Sequence, residues 1–341
     1  MLSEQLINRL ISSLDGDFPL GLTYGKMGVC IYFYQMERLG KTNQYRVIGD
    51  KVLDDVLTEI SSVESLNLEE GLAGIALGLI FLVRRKYIEA NLNELLVEVD
   101  DLIYKYLIFH ENKSIIPVKD ILGYIYYFNI RLEEISSEQD QLVFKDVIAY
   151  LVECLYENVD ENIFNGYDKF SVYYYQQPLL FFIFAGLLEK GIYTSRIFYI
   201  LNEWKMRLIT RIPLLHMNRL YLLWGMLAIK PFLKDTDFIQ YVDRIKRSVD
   251  IKYLIEREIN AKNIFVSNGY SLLFVLLKWI DKKYPLYSFA YDENQIINRI
   301  RTSPAWKDLQ EIPSFYRIHR GLLNGFLGVD LLLFSNEMLD K

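Results

Sequence analysis

Five residues in this sequence could ligate a metal or serve as a thiol or imidazole nucleophile pair: Cys30, Cys154, His110, His216 and His319. Such chemistry needs ligands brought together, commonly by a spacing of three or four on one helix, and no two of the five are so spaced. Cys30 lies in an apolar run, where a thiol packs as a small hydrophobe. No zinc or other cofactor is expected. Two cysteines so far apart offer no disulfide framework and fit a reducing, cytoplasmic compartment. Acid–base chemistry has other candidates in Glu69, Glu70 and Asp120, which sit at the entrances of apolar helical runs. A carboxylate there also favours the positive end of a helix, which is a structural role. The pair His319-Arg320 combines a group that titrates near neutrality with one that holds carboxylates, and its competing reading is a surface salt bridge.

The elements that must position these residues repeat. Taking one residue of each apolar helix entrance as a marker gives Gly28, Gly74, Gly123, Gln177, Gly225, Leu272 and Gly328, at intervals of 46, 49, 54, 48, 47 and 56 residues. The clearest copies are Gly71-Leu-Ala-Gly74 and Gly321-Leu-Leu-Asn-Gly325-Phe-Leu-Gly328. One helix pair per interval predicts an all-α fold, an α/α toroid of about seven inner and seven outer helices in a single domain spanning 1–341. Marker helices that are apolar nearly all round would be inner. Segments with a charged face would be outer, for example Ile48, Val52, Val56, Leu57 and Ile60, or the run from Leu92 to Tyr106. An amphipathic helix is expected at the start, through Leu2, Leu6, Leu10 and Leu14, and Ile115–Val118 is the one short extended piece.

In such a ring, the loops before the inner helices gather at one mouth. They would supply Tyr24, Lys26, Glu69, Glu70, Lys119, Asp120, Tyr173, Tyr174, Gln176, Arg219, Tyr221, Asn268, Tyr270, His319, Arg320 and Asn324 as an aromatic-rich polar rim. A net charge of −6 excludes a phosphate-backbone partner, so no nucleic acid is expected. The longest apolar runs, Gly71 to Val83 and Leu179 to Leu188, are shorter than the ~18–20 residues of a membrane span. With 52% hydrophobic residues the chain can bury a large core.

The glycine motifs and their sevenfold spacing resemble the lanthionine synthetase C-like family, cyclases and their relatives with a toroid of seven helix pairs. Active members are zinc enzymes, with one cysteine from a Trp-Cys-Tyr-Gly turn and further ligands from a Cys-His-Gly turn. The resemblance lays the first turn on Arg219-Leu220-Tyr221-Leu222 and the second on Ser267-Asn268-Gly269. Leucine cannot ligate zinc, and a neutral hydroxyl and an amide replace two strong ligands. Tyr173 falls where the family has a histidine, and Lys119 or Ile116 where it has an acid. The resemblance therefore implies a degenerate, zinc-free relative, a pseudoenzyme that holds a precursor peptide or a partner peptide-modifying enzyme in a bacterial ribosomal-peptide pathway. The alternative is a metal-independent enzyme, such as a glycan hydrolase or epimerase, recruiting Glu69, Glu70, Asp120, Asp168 or His319. Against it, none of Trp204, Trp224, Trp279 and Trp306 lies in the entrance turns.

Overall fold

The structure, a computed structural model, describes residues 4–16, 18–40, 42–109, 116–164 and 169–339. Among them the helices in chain order are α1 (Glu4–Ser13), α2 (Lys26–Arg38), α3 (Asn43–Glu59), α4 (Leu72–Arg84), α5 (Leu92–Leu95), α6 (Val97–Phe109), α7 (Val118–Arg131), α8 (Glu138–Asn158) and α9 (Gln177–Glu189). They continue with α10 (Thr194–Thr210), α11 (His216–Ile229), α12 (Thr236–Ser248), α13 (Ile251–Tyr253), α14 (Tyr270–Lys283), α15 (Glu293–Arg301), α16 (Ala305–Glu311), α17 (Pro313–Ile318) and α18 (Phe326–Leu339). No strand occurs among the described residues.

All seven markers lie in helices, α2, α4, α7, α9, α11, α14 and α18. These are the apolar ones: α2 buries ten of its thirteen residues, among them Cys30, Tyr32, Phe33 and Tyr34. The helices between them are amphipathic. In α3 only Gly49, Val52, Leu53 and Val56 are buried, one stripe at helical spacing. Side-chain caps start three of the amphipathic helices: Thr42 accepts from Gln44 N in α3, Ser137 from Asp140 N in α8, and Asp235 from Phe238 N in α12. Two apolar helices stop on glycine. Gly40 after α2 and Gly191 after α9 have φ of 81° and 69°, and both face open space, so conformation rather than packing selects them.

Two local expectations are corrected. The run from Leu92 to Tyr106 is broken into α5 and α6 at Leu96, a buried residue that caps the first piece. The extended piece at Ile115–Val118 is absent where it is described: Val118 opens α7 behind Pro117, whose fixed φ suits a helix start. Ile115 itself lies outside the described residues, as do Leu2, His110 and Asp168.

The chain groups into two compact units, residues 1–110, 261–271 and 297–341 (unit 1) and residues 111–260 and 272–296 (unit 2). The core of unit 1 is closed by residues from both ends of the sequence. Tyr32 Oη donates to Asp330 Oδ2 at 2.9 Å inside it, and Arg9 Nη1 reaches the Leu309 carbonyl at 3.1 Å. Unit 2 is built around α9 and α11, where Gly225 lets the backbones meet: a Cβ there would stand 2.3 Å from the Pro178 carbonyl oxygen.

Candidate functional site

Four helices with residues of unit 1 at their start, α2, α4, α14 and α18, are entered by the same seven-residue turn. The first helical N–H closes onto the carbonyl seven residues earlier: Lys26 N to Pro19 O (2.7 Å), Leu72 N to Ser65 O (3.0 Å), Tyr270 N to Asn263 O (3.0 Å) and Phe326 N to His319 O (2.9 Å). These bonds satisfy N–H groups that a helix start leaves orphaned. The turn demands glycine just before the helix, at Gly25, Gly71, Gly269 and Gly325. A Cβ on Gly25 would lie 2.4 Å from Gly21 N and 2.5 Å from Pro19 O, atoms that cannot move aside.

The four turns are laced to one another. Thr23 donates through both N and Oγ1 to the Glu69 carbonyl (3.0 and 3.1 Å), and its own carbonyl accepts from Leu322 N at 2.9 Å. Ser267 N donates to Leu323 O at 3.1 Å, and Ser267 Oγ to Asn324 Oδ1 at 2.6 Å. The result is a continuous surface of backbone and small polar groups that carries Tyr24, Glu69, Glu70, Asn268, His319, Arg320 and Asn324, with Ser267 buried beneath it. Two sequence-predicted members are elsewhere: Tyr270 and Lys26 are the first residues of α14 and α2 and are buried, because each glycine turn ends one residue before, and Lys26 Nζ pairs with Glu59 at 2.9 Å.

His319 is locked into this surface. Its ring stacks on Phe265 (centroids 4.2 Å, interplanar 10°) and packs against Phe315 (4.4 Å). Nδ1 lies 2.8 Å from the Asn324 carbonyl. A carbonyl only accepts, so Nδ1 carries the proton and Nε2 is the basic nitrogen. Burial pushes the imidazole pKa below its ordinary value, against the opposing effect of that hydrogen bond. Arg320 lays its guanidinium 3.8 Å over the Phe18 ring. Asn67, which sequence reasoning missed, staples the Glu69–Glu70 turn by accepting from Glu69 N, Glu70 N and Gly71 N at 3.0–3.2 Å. Its signal was available, an Asn four residues ahead of the first glycine.

The entrances in unit 2 are built differently. Arg219, Leu220 and Tyr221 were expected in a turn but lie inside α11, which begins at His216. The physical reason is Glu258, whose carboxylate accepts from His216 N and Met217 N at 2.8 Å each and so starts the helix six residues before the position aligned with the first glycine. Leu220 is fully buried. Arg219 commits its guanidinium to three backbone carbonyls, Pro213 (2.7 Å), Ser248 (2.7 Å) and Leu214 (3.0 Å), and clamps the helix entrance. His216 Nδ1 accepts from Asp250 N at 2.9 Å. Lys119 and Asp120 are half-buried in the first turn of α7.

Tyr173, Tyr174 and Gln176 do lie in a turn, held by Ser171, whose Oγ accepts from Tyr173 N and whose carbonyl accepts from Tyr174 N. Tyr174 is 64% exposed. Tyr221 instead packs into an aromatic cluster that sequence reasoning missed. Its ring stacks on Trp224 (5.5 Å, 14°), which stacks on Phe182 (4.7 Å, 17°) and meets Trp279 edge-on at 5.8 Å. Burial holds the phenols of Tyr221 and Tyr175 well above their ordinary pKa, so neither supplies a proton-transfer group near neutrality.

The donor chemistry at the positions aligned with the family's zinc ligands does not fit that ion. Leu220 offers no donor, Ser267 Oγ is spent on Asn324, and no group of three His, Cys, Asp or Glu that could hold a metal occurs among the described residues. Both cysteines are free and buried, and burial raises the Cys30 thiol far above the range in which a thiolate forms. No helix among the described residues is long and apolar enough to cross a membrane.

No protein-family model matches the sequence, and no curated protein matches it. In three dimensions the chain is similar to a solved structure of nisin cyclase, with a TM-score of 0.63 and 16% sequence identity over 98% of this chain and 93% of that one. At that identity the likeness shows the fold: this is an all-α chain with the fold of nisin cyclase, an α/α toroid.

Proposed function

We propose that this chain is a zinc-free lanthionine-cyclase-like protein, a non-catalytic component that holds a precursor peptide or a partner peptide-modifying enzyme during ribosomal-peptide maturation in a bacterial cytoplasm. The observation that carries the reading is the pairing of a cyclase fold along nearly the whole chain with an unsuitable donor set at Leu220 and Ser267. The laced turns of unit 1 add a reason why a peptide would be held there. They offer a rigid surface of small residues, one neutral imidazole and the carboxylates of Glu69 and Glu70, which suits a polypeptide chain more than a small charged metabolite. The peptide-facing residues of unit 1 under this reading are Tyr24, Asn268, His319, Arg320 and Asn324; unit 2, taken by itself, presents Tyr173, Tyr174 and Gln176 on its own turn.

Two measurements test it. Metal analysis of purified protein is expected to find no stoichiometric zinc. Calorimetric titration with the precursor peptide encoded beside its gene is expected to give binding without thioether formation. Stoichiometric zinc with cyclised product would overturn the reading, as would binding to no neighbouring peptide or enzyme. Turnover of a glycan lost in Glu69→Gln or Glu70→Gln would replace it with the metal-independent enzyme.

A further inference from the structure

The net charge of −6 hides a strong segregation. Residues 190–260, all in unit 2, carry thirteen Lys and Arg against seven Asp and Glu. Part of that excess borders a cleft between α10 and α12. An apolar cavity of about 280 Å³ is lined by Phe198, Leu201, Leu208, Phe232 and Phe238, with Lys234 at its edge. A more open groove of about 620 Å³ continues from it at Ile209 and is lined by Met206, Tyr241, Arg244 and Arg247, with Asp237 and Asp243 also on its wall. Met206 is 66% exposed and Phe198 37%, unusual for large apolar side chains beside a preformed cavity.

The cations here are not neutralised locally. Arg244 donates to the Ile209 carbonyl and lies over the Tyr241 ring, and Arg247 donates to the Asp243 carbonyl; neither meets a carboxylate among the described residues, nor does Lys234. Three carboxylates share this lining and already have partners. Asp235 and Asp237 both bind Lys205, and Asp243 accepts from Tyr287 Oη.

We propose that the α10–α12 face is a docking surface for an acidic, amphipathic segment of a partner protein, whose bulky apolar side chains enter the cavity while its carboxylates meet Lys234, Arg244 and Arg247. Apolar anchors supply the affinity and the charges supply orientation and selection against basic or neutral segments. The surface stands whether or not the chain is a cyclase relative that has lost zinc.

The test uses the full chain and three probes: a fluorescent helical peptide of Leu and Glu with one apolar face, its Leu/Lys counterpart, and phosphatidylglycerol vesicles. The acidic peptide is expected to bind, to bind about tenfold more weakly on going from about 50 to about 200 mM salt, and to protect amides of 198–211 and 234–247 from hydrogen exchange. K234E/R247E and, separately, F198E, all at exposed positions, are each expected to weaken it about tenfold with an unchanged thermal melt. Equal binding of the Leu/Lys peptide, a footprint elsewhere, or unaltered binding by both variants would overturn the proposal. Vesicle binding without peptide binding would replace it with a membrane surface.

Discussion

The two units solve one problem, how to begin an apolar helix, with different materials. In unit 1 the backbone does it: a seven-residue turn folds back so that its own carbonyl caps the first N–H, four times over. In unit 2 a side chain does it for α11, where Glu258 accepts from the first two N–H groups, while α7 opens behind Pro117 with no side-chain cap. A turn made of backbone leaves no room for variation at its glycines but does not draw its closing bond from a side chain. A cap made of side chains consumes them. Arg219 shows the consequence: it looks like a ligand-binding residue in the sequence and is spent on three carbonyls. A surface able to change its chemistry without losing its shape is therefore found in unit 1, where Ser267 and Asn268 sit on an intact turn.

The comparison breaks most readily at glycine. Gly25→Ala places a methyl within 2.4–2.6 Å of fixed backbone atoms. It is expected to cost about 3 kcal/mol, read as a lowered urea midpoint, with faster hydrogen exchange at Lys26 and Met27. An unchanged midpoint would mean the turn is plastic. Next comes Glu258→Ala, which removes the acceptor for two N–H groups and is expected to cost about 2 kcal/mol, with faster exchange at His216 and Met217 while the turns of unit 1 stay protected. Asn67→Ala tests a side chain that supports a unit 1 turn by accepting from three of its N–H groups, and about 1 kcal/mol is expected because the backbone bonds remain.

The smallest effect is electrostatic. His319 has a folded-state pKa below its ordinary 6.5 because it is buried, so the fold prefers the neutral ring. Its contribution is complete above 6.5 and is lost as pH falls from there through the folded value, where the folded state binds fewer protons than the unfolded one. Urea midpoints taken between neutral and mildly acidic pH are expected to fall less in His319→Gln than in the parent. Equal slopes would remove His319 from the account.

Much of the fold was legible because the marker glycines recur on apolar runs, and the same spacing located the turns at Gly25, Gly71, Gly269 and Gly325. The site was half legible, and the failure has a physical cause. Gly225 matches the spacing but serves another purpose, making room for the Pro178 carbonyl of α9. One residue type answers two needs that sequence cannot separate, so Leu220 was laid in a turn that does not exist. Glu258 gave no signal because its partners are about forty residues away. The cluster of Phe182, Trp224 and Trp279 was invisible for the same reason, since its rings come from three helices.

The lacing of the turns also sets a schedule. Thr23 bonds both Glu69 and Leu322, so the first turn of the chain lacks its second partner until residue 322 has been made. Unit 1 is thus a structure of high contact order whose turns are all joined only once residues 319–326 have been made. Residues 111–260 of unit 2 form an unbroken stretch whose own contacts are available earlier. A nascent chain stalled before residue 319 would hold its N-terminal helices without the element that fixes them, and that interval is when a chaperone would have most to do.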